Sequence, residues 1–596
     1  MASSSSSCDA TGVPFTLLGA LITAGPAAWP ACVGDGRAFL RDYARRGTNA
    51  LLWAGLLSVT WVLLLRVAAM LRLWALGSRI PGPRALLADP GLAAVLRDGG
   101  DITGWWPFLS PPYSLFILTG FGSVGWVQLV GFLSKLHGRY GPVVRLWVGP
   151  SQLLVSVIDP TLVKEVLTKA EDKLPLTGRT YNLACGKLGL FVSLFQKVKS
   201  TRDSLKIFLN EKLTVGAGQS SFKIIDAVLN RINTIMSKDF MDTRSFSQHM
   251  AFNIIGATLL GDAFFDWSDA AAYEELLMLV AKDGCFWASY AIPPFWRPSY
   301  RRYRTLCAKL KILTESVIRK SRQNSSLNHF DQRSCLKSEG TDPNTHVLDN
   351  IMASHCLHGA AGGPLNSEEE IFGNIMGLML HGISASANLI GNILTRLVLF
   401  PELQDQLHAE IVSVCNESSK LEVDDLLRMQ VLLATVCESA RLLPAGPLLQ
   451  RCSLKHDLRL GSGITVPARS ILVVPLHLVQ MDASVWGDDA DQFNPHRFLK
   501  KDVDIGEILG APKGSNRINI FSECAKTESF LPFGSGSREC VGQKFVVLAI
   551  SMLIASLLRS YEVQPHPSLS KEMGTAVDSS HLHLPNPKII LTKRRI

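Results

Sequence analysis

At 596 residues the chain can bury a sizeable core; 47% of it is hydrophobic and 19% charged, below the roughly 25% of an ordinary soluble domain. Those values exclude a small stapled scaffold and a chain disordered throughout. A formal net charge of +9, a pI near 8.9 and a mean hydropathy of +0.19 suit contact with anionic lipid or an acidic protein, and give no nucleic-acid footprint. The twelve cysteines include no C-x-x-C pair, which argues against a zinc ribbon or disulfide framework and for a reducing compartment.

In chain order, the apolar stretch Val13 to Val33 lacks a basic region before it and is interrupted by Pro14, Gly25, Pro26 and Pro30, so it reads as neither signal peptide nor span. Residues 1–47 form an N-terminal extension. Thr48 to Leu65 is an uncharged run of 18 residues with Arg45 and Arg46 before it and Arg66 and Arg72 after it. A membrane anchor over residues 48–71 is expected, a buried core helix being the alternative. Arginines balance on the two sides, so the positive-inside rule leaves orientation open. Ile80-Pro81-Gly82-Pro83 stops any continuing helix, and residues 72–84 read as a basic, proline-containing hinge.

The body, residues 85–596, begins with an anomaly. Ile102 to Ser134 holds 33 residues without a charge, broken by Pro107, Pro111 and Pro112. Such an insert, at about 102–134, either dips into the membrane or is a translated intron; the prolines leave no spanning helix and nothing downstream depends on it, which favours the second. Val143 to Val148 and Leu153 to Ile158, separated by Gly149-Pro150, predict a hairpin. Pro160 to Leu443 has mainly helical periodicity, with Ser321 to Asn344 a polar surface loop. Ser367-Glu-Glu-Glu370 is a capping box opening a helix that runs to Phe400, where Pro401 ends it.

Chemistry concentrates in Phe533-Gly-Ser-Gly536-Ser-Arg538-Glu-Cys540-Val-Gly542, a glycine-dense loop running into an apolar helix. Backbone N–H groups at a helix N-terminus stabilise a thiolate, and glycines let the backbone pass close under a flat cofactor. The residues alone leave an inert cysteine in a Gly-rich turn as the alternative.

This loop resembles the haem-binding segment F-x-x-G-x-R-x-C-x-G of the cytochrome P-450 superfamily, with every fixed position present at Phe533, Gly536, Arg538, Cys540 and Gly542. Glu438-Ser-Ala-Arg441 matches the family's E-x-x-R, and Pro495-His-Arg497-Phe498 its P-x-R-F. Overall the resemblance is to plant microsomal members. It implies a mainly α fold with a minor β-sheet region, preceded by the transmembrane helix, and haem with its iron on Cys540. It implies a buried cluster of Glu438, Arg441 and Arg497, with Arg538 and Arg451 near the haem propionates. Where the family has W-x-x-x-R this chain has Phe195-Gln-Lys-Val-Lys199, so Lys199 takes the cofactor-binding arginine's place. Lys199, Arg202 and Lys206 form one basic helical face, which the resemblance makes a dock for NADPH-cytochrome P-450 reductase, a merely solvated face being the alternative.

The central distal helix departs from the pattern. Where the family has A/G-G-x-(D/E)-T-(T/S), this chain has His381-Gly382-Ile383-Ser384-Ala385-Ser386. Gly382 is kept, Ser384 replaces the acid and Ala385 the threonine, so both proton-relay groups are gone. Proton delivery then falls to Ser386, His381, water or substrate. An imidazole at His381 either faces the iron or turns toward another helix.

The implied activity is oxidation of a lipophilic small molecule with O2 and reductase-derived electrons, by a single-pass protein in contact with endoplasmic-reticulum membrane lipid and with its body in the cytosol. A reductase-independent isomerase or dehydratase and a catalytically silent haem protein are the alternatives.

Overall fold

The computed structural model describes residues 36–83, 123–147, 153–172, 183–186, 188–214, 241–288, 295–330, 368–415, 421–446, 448–499, 529–567 and 587–594. Val13 to Val33 and most of the uncharged stretch lie outside them. The chain separates into two compact units, Met1–Ala75 and Leu76–Ile596.

The first unit is dominated by α1 (Gly36–Gly77), one helix of 42 residues, about 63 Å at 1.5 Å per residue. The most apolar 18-residue window of its Gly47–Gly77 portion has a mean hydropathy of 2.0, and none of that window is buried by protein. Among the described residues two other helices are long and apolar enough to span, but 61% of each window is buried, which marks them as core elements. The hydroxyls of Ser58 and Thr60 donate back to the carbonyls of Ala54 and Leu56 at 2.7 and 2.8 Å, so neither needs water in an apolar setting.

In the second unit, the longer helices among the described residues are α2 (Ser123–Tyr140), α3 (Pro160–Lys169), α4 (Phe195–Thr214), α5 (Thr243–Leu260), α6 (Ala270–Ala288), α7 (Pro298–Phe330), α8 (Glu368–Leu399), α9 (Pro401–Val414), α10 (Gln430–Leu442) and α11 (Gln543–Ser560). Strands β1 (Val143–Trp147), β2 (Leu153–Val157), β4 (Leu448–Cys452) and β7 (Ile471–Pro475) form a sheet in the order β1-β2-β7-β4. A second sheet joins β3 (Met241–Asp242), β9 (Lys588–Lys593) and β8 (Tyr561–Pro565), and β5 (Leu458–Arg459) pairs with β6 (Thr465–Val466). The predicted hairpin is β1 and β2, antiparallel with Val143 opposite Val157.

Three segments differ from expectation. The uncharged stretch is not dispensable throughout: α2 starts inside it, and Phe132, Leu133 and Leu136 are buried. The prolines all precede the helix, so they limit where it starts without breaking it. Ser321 is buried and helical, because α7 continues to Phe330 before any loop begins. Residues 77–82 are packed and not a free hinge. Arg145 donates to the carbonyls of Gly77, Ser78 and Ile80, Ile80 is 1% exposed, and Gly77 abuts Trp147 and Leu153.

The core wraps α8, α10 and α11. At its edge Glu438 and Arg441 on α10 have no exposed side-chain surface. Arg441 grips the carboxylate with two N–H groups at 2.7 and 2.9 Å, Arg497 adds a third at 3.0 Å, and the Asn494 amide a fourth at 3.0 Å. Spare guanidinium N–H groups go to the carbonyls of Gln480, Ala490 and Trp486. Burial alone would lower the Arg497 pKa, but Glu438 and Asp489 outweigh it and raise it. Arg396 on α8 sits 4.1 Å from the Phe493 ring, and burial pulls it down to about 10 although Glu438 offsets part of that. Removing the Glu438 carboxylate takes the ion-pair partner of buried Arg441 and leaves Arg497 with Asp489 alone. Glu438→Ala is expected to destabilise by about 3–5 kcal/mol, measured as a shift in the denaturant midpoint; a loss under 1 kcal/mol on the same scale would mean the cluster is not held by that charge.

Candidate active site at the cysteine loop

Two glycines shape the loop before α11. Gly534 and Gly536 have φ of 72° and 71°, a left-handed backbone that other residues resist. At Gly536 a side chain would also collide with the Leu167 carbonyl oxygen, because the loop is pressed onto α3. The turn closes through Gly534 N–H to Leu531 O at 2.9 Å and Cys540 N–H to Phe533 O at 2.8 Å. Gly542 caps α11, which leaves Cys540 two residues before the helix N-terminus, where the helix field favours negative charge on sulfur.

Exposure separates Cys540 from the other described cysteines. Cys185, Cys307, Cys415, Cys437 and Cys452 are buried, whereas Cys540 is half-exposed. Burial pushes the Cys185 thiol well up and that of Cys452 up to about 12, so both stay protonated and inert.

Cations gather beside the loop. Arg451 on β4 is 2% exposed and donates to Gln450 O and Ser535 O at 2.9 and 3.2 Å, while its buried Nε has no partner among the described residues. Arg538 donates to Glu171 O, Leu190 O and Ser193 O at 2.9, 3.3 and 3.2 Å, and its guanidinium lies 5.1 Å from the Phe195 ring. Burial, then the charges of Arg538 and Arg202, bring Arg451 down to about 9. Arg538 falls to about 10 through burial and Arg202, although Asp172 and Glu171 oppose it. Three guanidinium groups therefore repel one another here, and the nearest carboxylate of Asp172 stands 3.8 Å from Arg538. Such a site suits a dianionic ligand, and haem with its two carboxylates fits it.

Lys199 is not part of this group. Its side chain is exposed on α4, and the α4 cation that reaches the cysteine loop is Arg202, half-buried and donating to the Glu539 carbonyl. Lys206 pairs with the Glu539 carboxylate. The basic face expected to be free for a partner is thus partly consumed inside the chain, because Glu539 of the R-x-C segment lies against α4.

On the opposite wall runs α8. Cβ atoms at Gly373 and Gly377 would collide with Leu188 O and the Phe191 ring, so the segment 188–191 lies directly on this helix face. His381 follows at i+4 from Gly377 on the same face, exposed, its ring 5.3 Å from that of Phe191. Gly382 faces Ile255 of α5 with room for a methyl group, 3.5 Å. The Ser384 hydroxyl donates to Leu380 O at 2.8 Å. Ala385 is half-buried and Ser386 is 3% exposed.

One peptide ties the two walls together. The Leu190 N–H donates to the Asn374 side chain on α8 at 2.7 Å, while the Leu190 carbonyl accepts from Arg538. Sequence reasoning missed this segment, and it gave Arg202 to a partner-docking face and not to the cysteine loop. The available signals were Gly189, with φ of 125°, and the spacing of Gly373 and Gly377.

Comparison with known proteins agrees with this geometry. A family profile described as Cytochrome P450 matches residues 109–592, entering the chain within the uncharged stretch. Cytochrome P450 734A5 of Oryza sativa subsp. japonica is 30% identical over 450 residues, covering 74% of this chain and 78% of that protein. The 11-oxo-beta-amyrin 30-oxidase of Glycyrrhiza uralensis is 24% identical over 460 residues, 75% of this chain and 80% of that one. A mitochondrial sterol 26-hydroxylase of Rattus norvegicus is 29% identical over 244 residues, 41% and 42% of the two. With the profile spanning most of its length, the chain belongs to the cytochrome P450 family, and is a haem-dependent monooxygenase of that family.

Proposed function

We propose that this monooxygenase is membrane-anchored, holds its haem iron through Cys540, and oxidises a lipophilic small molecule with O2 and electrons from NADPH-cytochrome P-450 reductase. The observation that carries the reading is the half-exposed Cys540 just before α11, in a loop that Arg202 and Arg451 bind and that carries Arg538. Two relatives are named for oxidising a sterol and an amyrin derivative, so polycyclic lipids are the first substrate class to screen.

Bound haem supplies the oxygen and one-electron chemistry. Cys540 Sγ would hold the iron and supply it with thiolate charge. Arg451 and Arg538 would offer N–H groups to the haem carboxylates, and Arg451 Nε has no competing partner among the described residues. Glu438, Arg441 and Arg497 hold the segment behind the loop. On the distal side the Ser384 hydroxyl is committed to Leu380 O and Ala385 has no proton to give. Proton transfer therefore rests on Ser386 Oγ, the His381 imidazole, ordered water or a hydroxyl of the substrate itself. A positioned general acid is typically worth about 10²–10⁴-fold, so its replacement has visible cost.

Cys540→Ser is expected to abolish the thiolate-type optical shift of the reduced carbon monoxide adduct; a mutant that keeps the shift overturns the ligand assignment. Protons that arrive late favour loss of reduced oxygen as peroxide, so the wild type is expected to form little product per NADPH consumed and Ala385→Thr to form several-fold more. Tight coupling in the wild type together with indifference to Ala385→Thr would remove the relay reading. We also place the body on the cytosolic side of the endoplasmic reticulum. Sequons at Asn324 and Asn416 report on this directly: both are expected to be unglycosylated in the mature protein, and a glycan at either puts the body in the lumen, away from the reductase.

A further inference from the structure

The cysteine loop lies along a single stripe of α4. Phe195, Arg202 and Leu209 are seven residues apart, so they recur on one face every two turns. Each meets a successive part of the loop. The Arg538 guanidinium sits over Phe195, Arg202 donates to the Glu539 carbonyl, and a Cβ at Gly542 would stand 3.5 Å from Leu209. One turn beyond Arg202, Lys206 takes the Glu539 side chain. Glu539 is thus held at its main chain and its side chain by one helix, and Cys540 is the next residue. Burial lowers the pKa of the Arg202 guanidinium, and Cys540 is the foremost of the groups acting in the opposite direction, ahead of Glu539 and Asp203.

We propose that Arg202 is a positioning residue for the proximal thiolate, fixing the Glu539–Cys540 peptide on α4 and setting a positive charge beside the sulfur that raises the reduction potential of the bound haem. The proposal rests on Cys540 being the iron ligand. A cation beside the sulfur weakens its donation to iron and favours the state with one electron more, and charge and hydrogen bonding around a ligand are established means of tuning a metal centre. Half-buried, the Arg202 charge is screened less by salt than the exposed Lys197 and Lys199 on the same helix. A purely structural role would reside in the bond to the Glu539 carbonyl, which a neutral amide also makes. Charge and bond can therefore be separated by substitution.

The experiment is a reductive titration of the full-length, haem-loaded protein in detergent micelles, followed by its absorption spectrum, for wild type, Arg202→Gln and Arg202→Lys. Arg202→Gln is expected to lower the equilibrium constant for reduction about tenfold, ~59 mV for one electron, with Arg202→Lys close to wild type. An unchanged midpoint in Arg202→Gln, or a fall in Arg202→Lys as large as that in Arg202→Gln, overturns the proposal. Should Arg202→Gln fail to retain haem, Arg202→Lys decides alone: a wild-type midpoint supports the charge and a tenfold fall refutes it. Failure of the underlying reading looks different, since without Cys540 on the iron the wild type itself lacks the thiolate-type carbon monoxide shift.

Discussion

A carboxylate with no exposed surface, Glu438, anchors the half of the fold that presents the cysteine. It receives four N–H groups from three residues, and two of those residues, Arg441 and Arg497, reach it from different parts of the chain. From Arg441 the order passes on: Gln480 donates to the Arg441 carbonyl at 2.7 Å and accepts from Leu531 N–H at 3.1 Å, where the cysteine loop begins. Beside this polar route runs an aromatic one, Phe498 to Phe530 to Phe533, with ring centroids 5.7 and 6.5 Å apart. A buried ion pair of this kind adds little net stability over apolar packing, yet it admits only one geometry. Here that geometry holds the loop in place before any cofactor is considered.

The two sides of the loop are electrically opposite in design. Behind it, every buried cation of the cluster faces an anion. In front, Arg451 meets backbone carbonyls and the charges of Arg538 and Arg202, while Asp172 stands 3.8 Å from Arg538 and Glu539 and Asp203 act on Arg202. Charge left unbalanced in a folded protein is costly, and it is kept where a ligand completes it. The imbalance is the most direct physical statement in the structure that something anionic belongs there.

Much of this was legible in the sequence, because the E-x-x-R spacing, the P-x-R-F segment and the glycine loop each need fixed residue types at fixed intervals. The hairpin and the long proline-free helix were equally plain. What escaped were facts of orientation. Lys199 and Arg202 lie within one turn of α4, and only the placement of Glu539 decides which of them turns inward. The uncharged stretch hid α2 because a composition without charges gives no polar face to mark a helix, although its last turns bury Leu133 and Leu136. In α7 the polar residues from Ser321 onward resembled a loop, since serine and asparagine favour turns over helix interiors, yet the helix continues to Phe330.

The link between the two walls of the site runs through the main chain of Leu190 and not through its side chain. Any amino acid with an amide proton supplies the same pair of hydrogen bonds, but the Leu190 side chain is 3% exposed and packed in the core, so it is other apolar residues that can replace it while the connection persists. Proline alone is forbidden, and Gly189 beside it is constrained by its left-handed backbone. A comparison of family members would then read position 190 as one more apolar core residue, although its main chain joins the cysteine loop to α8.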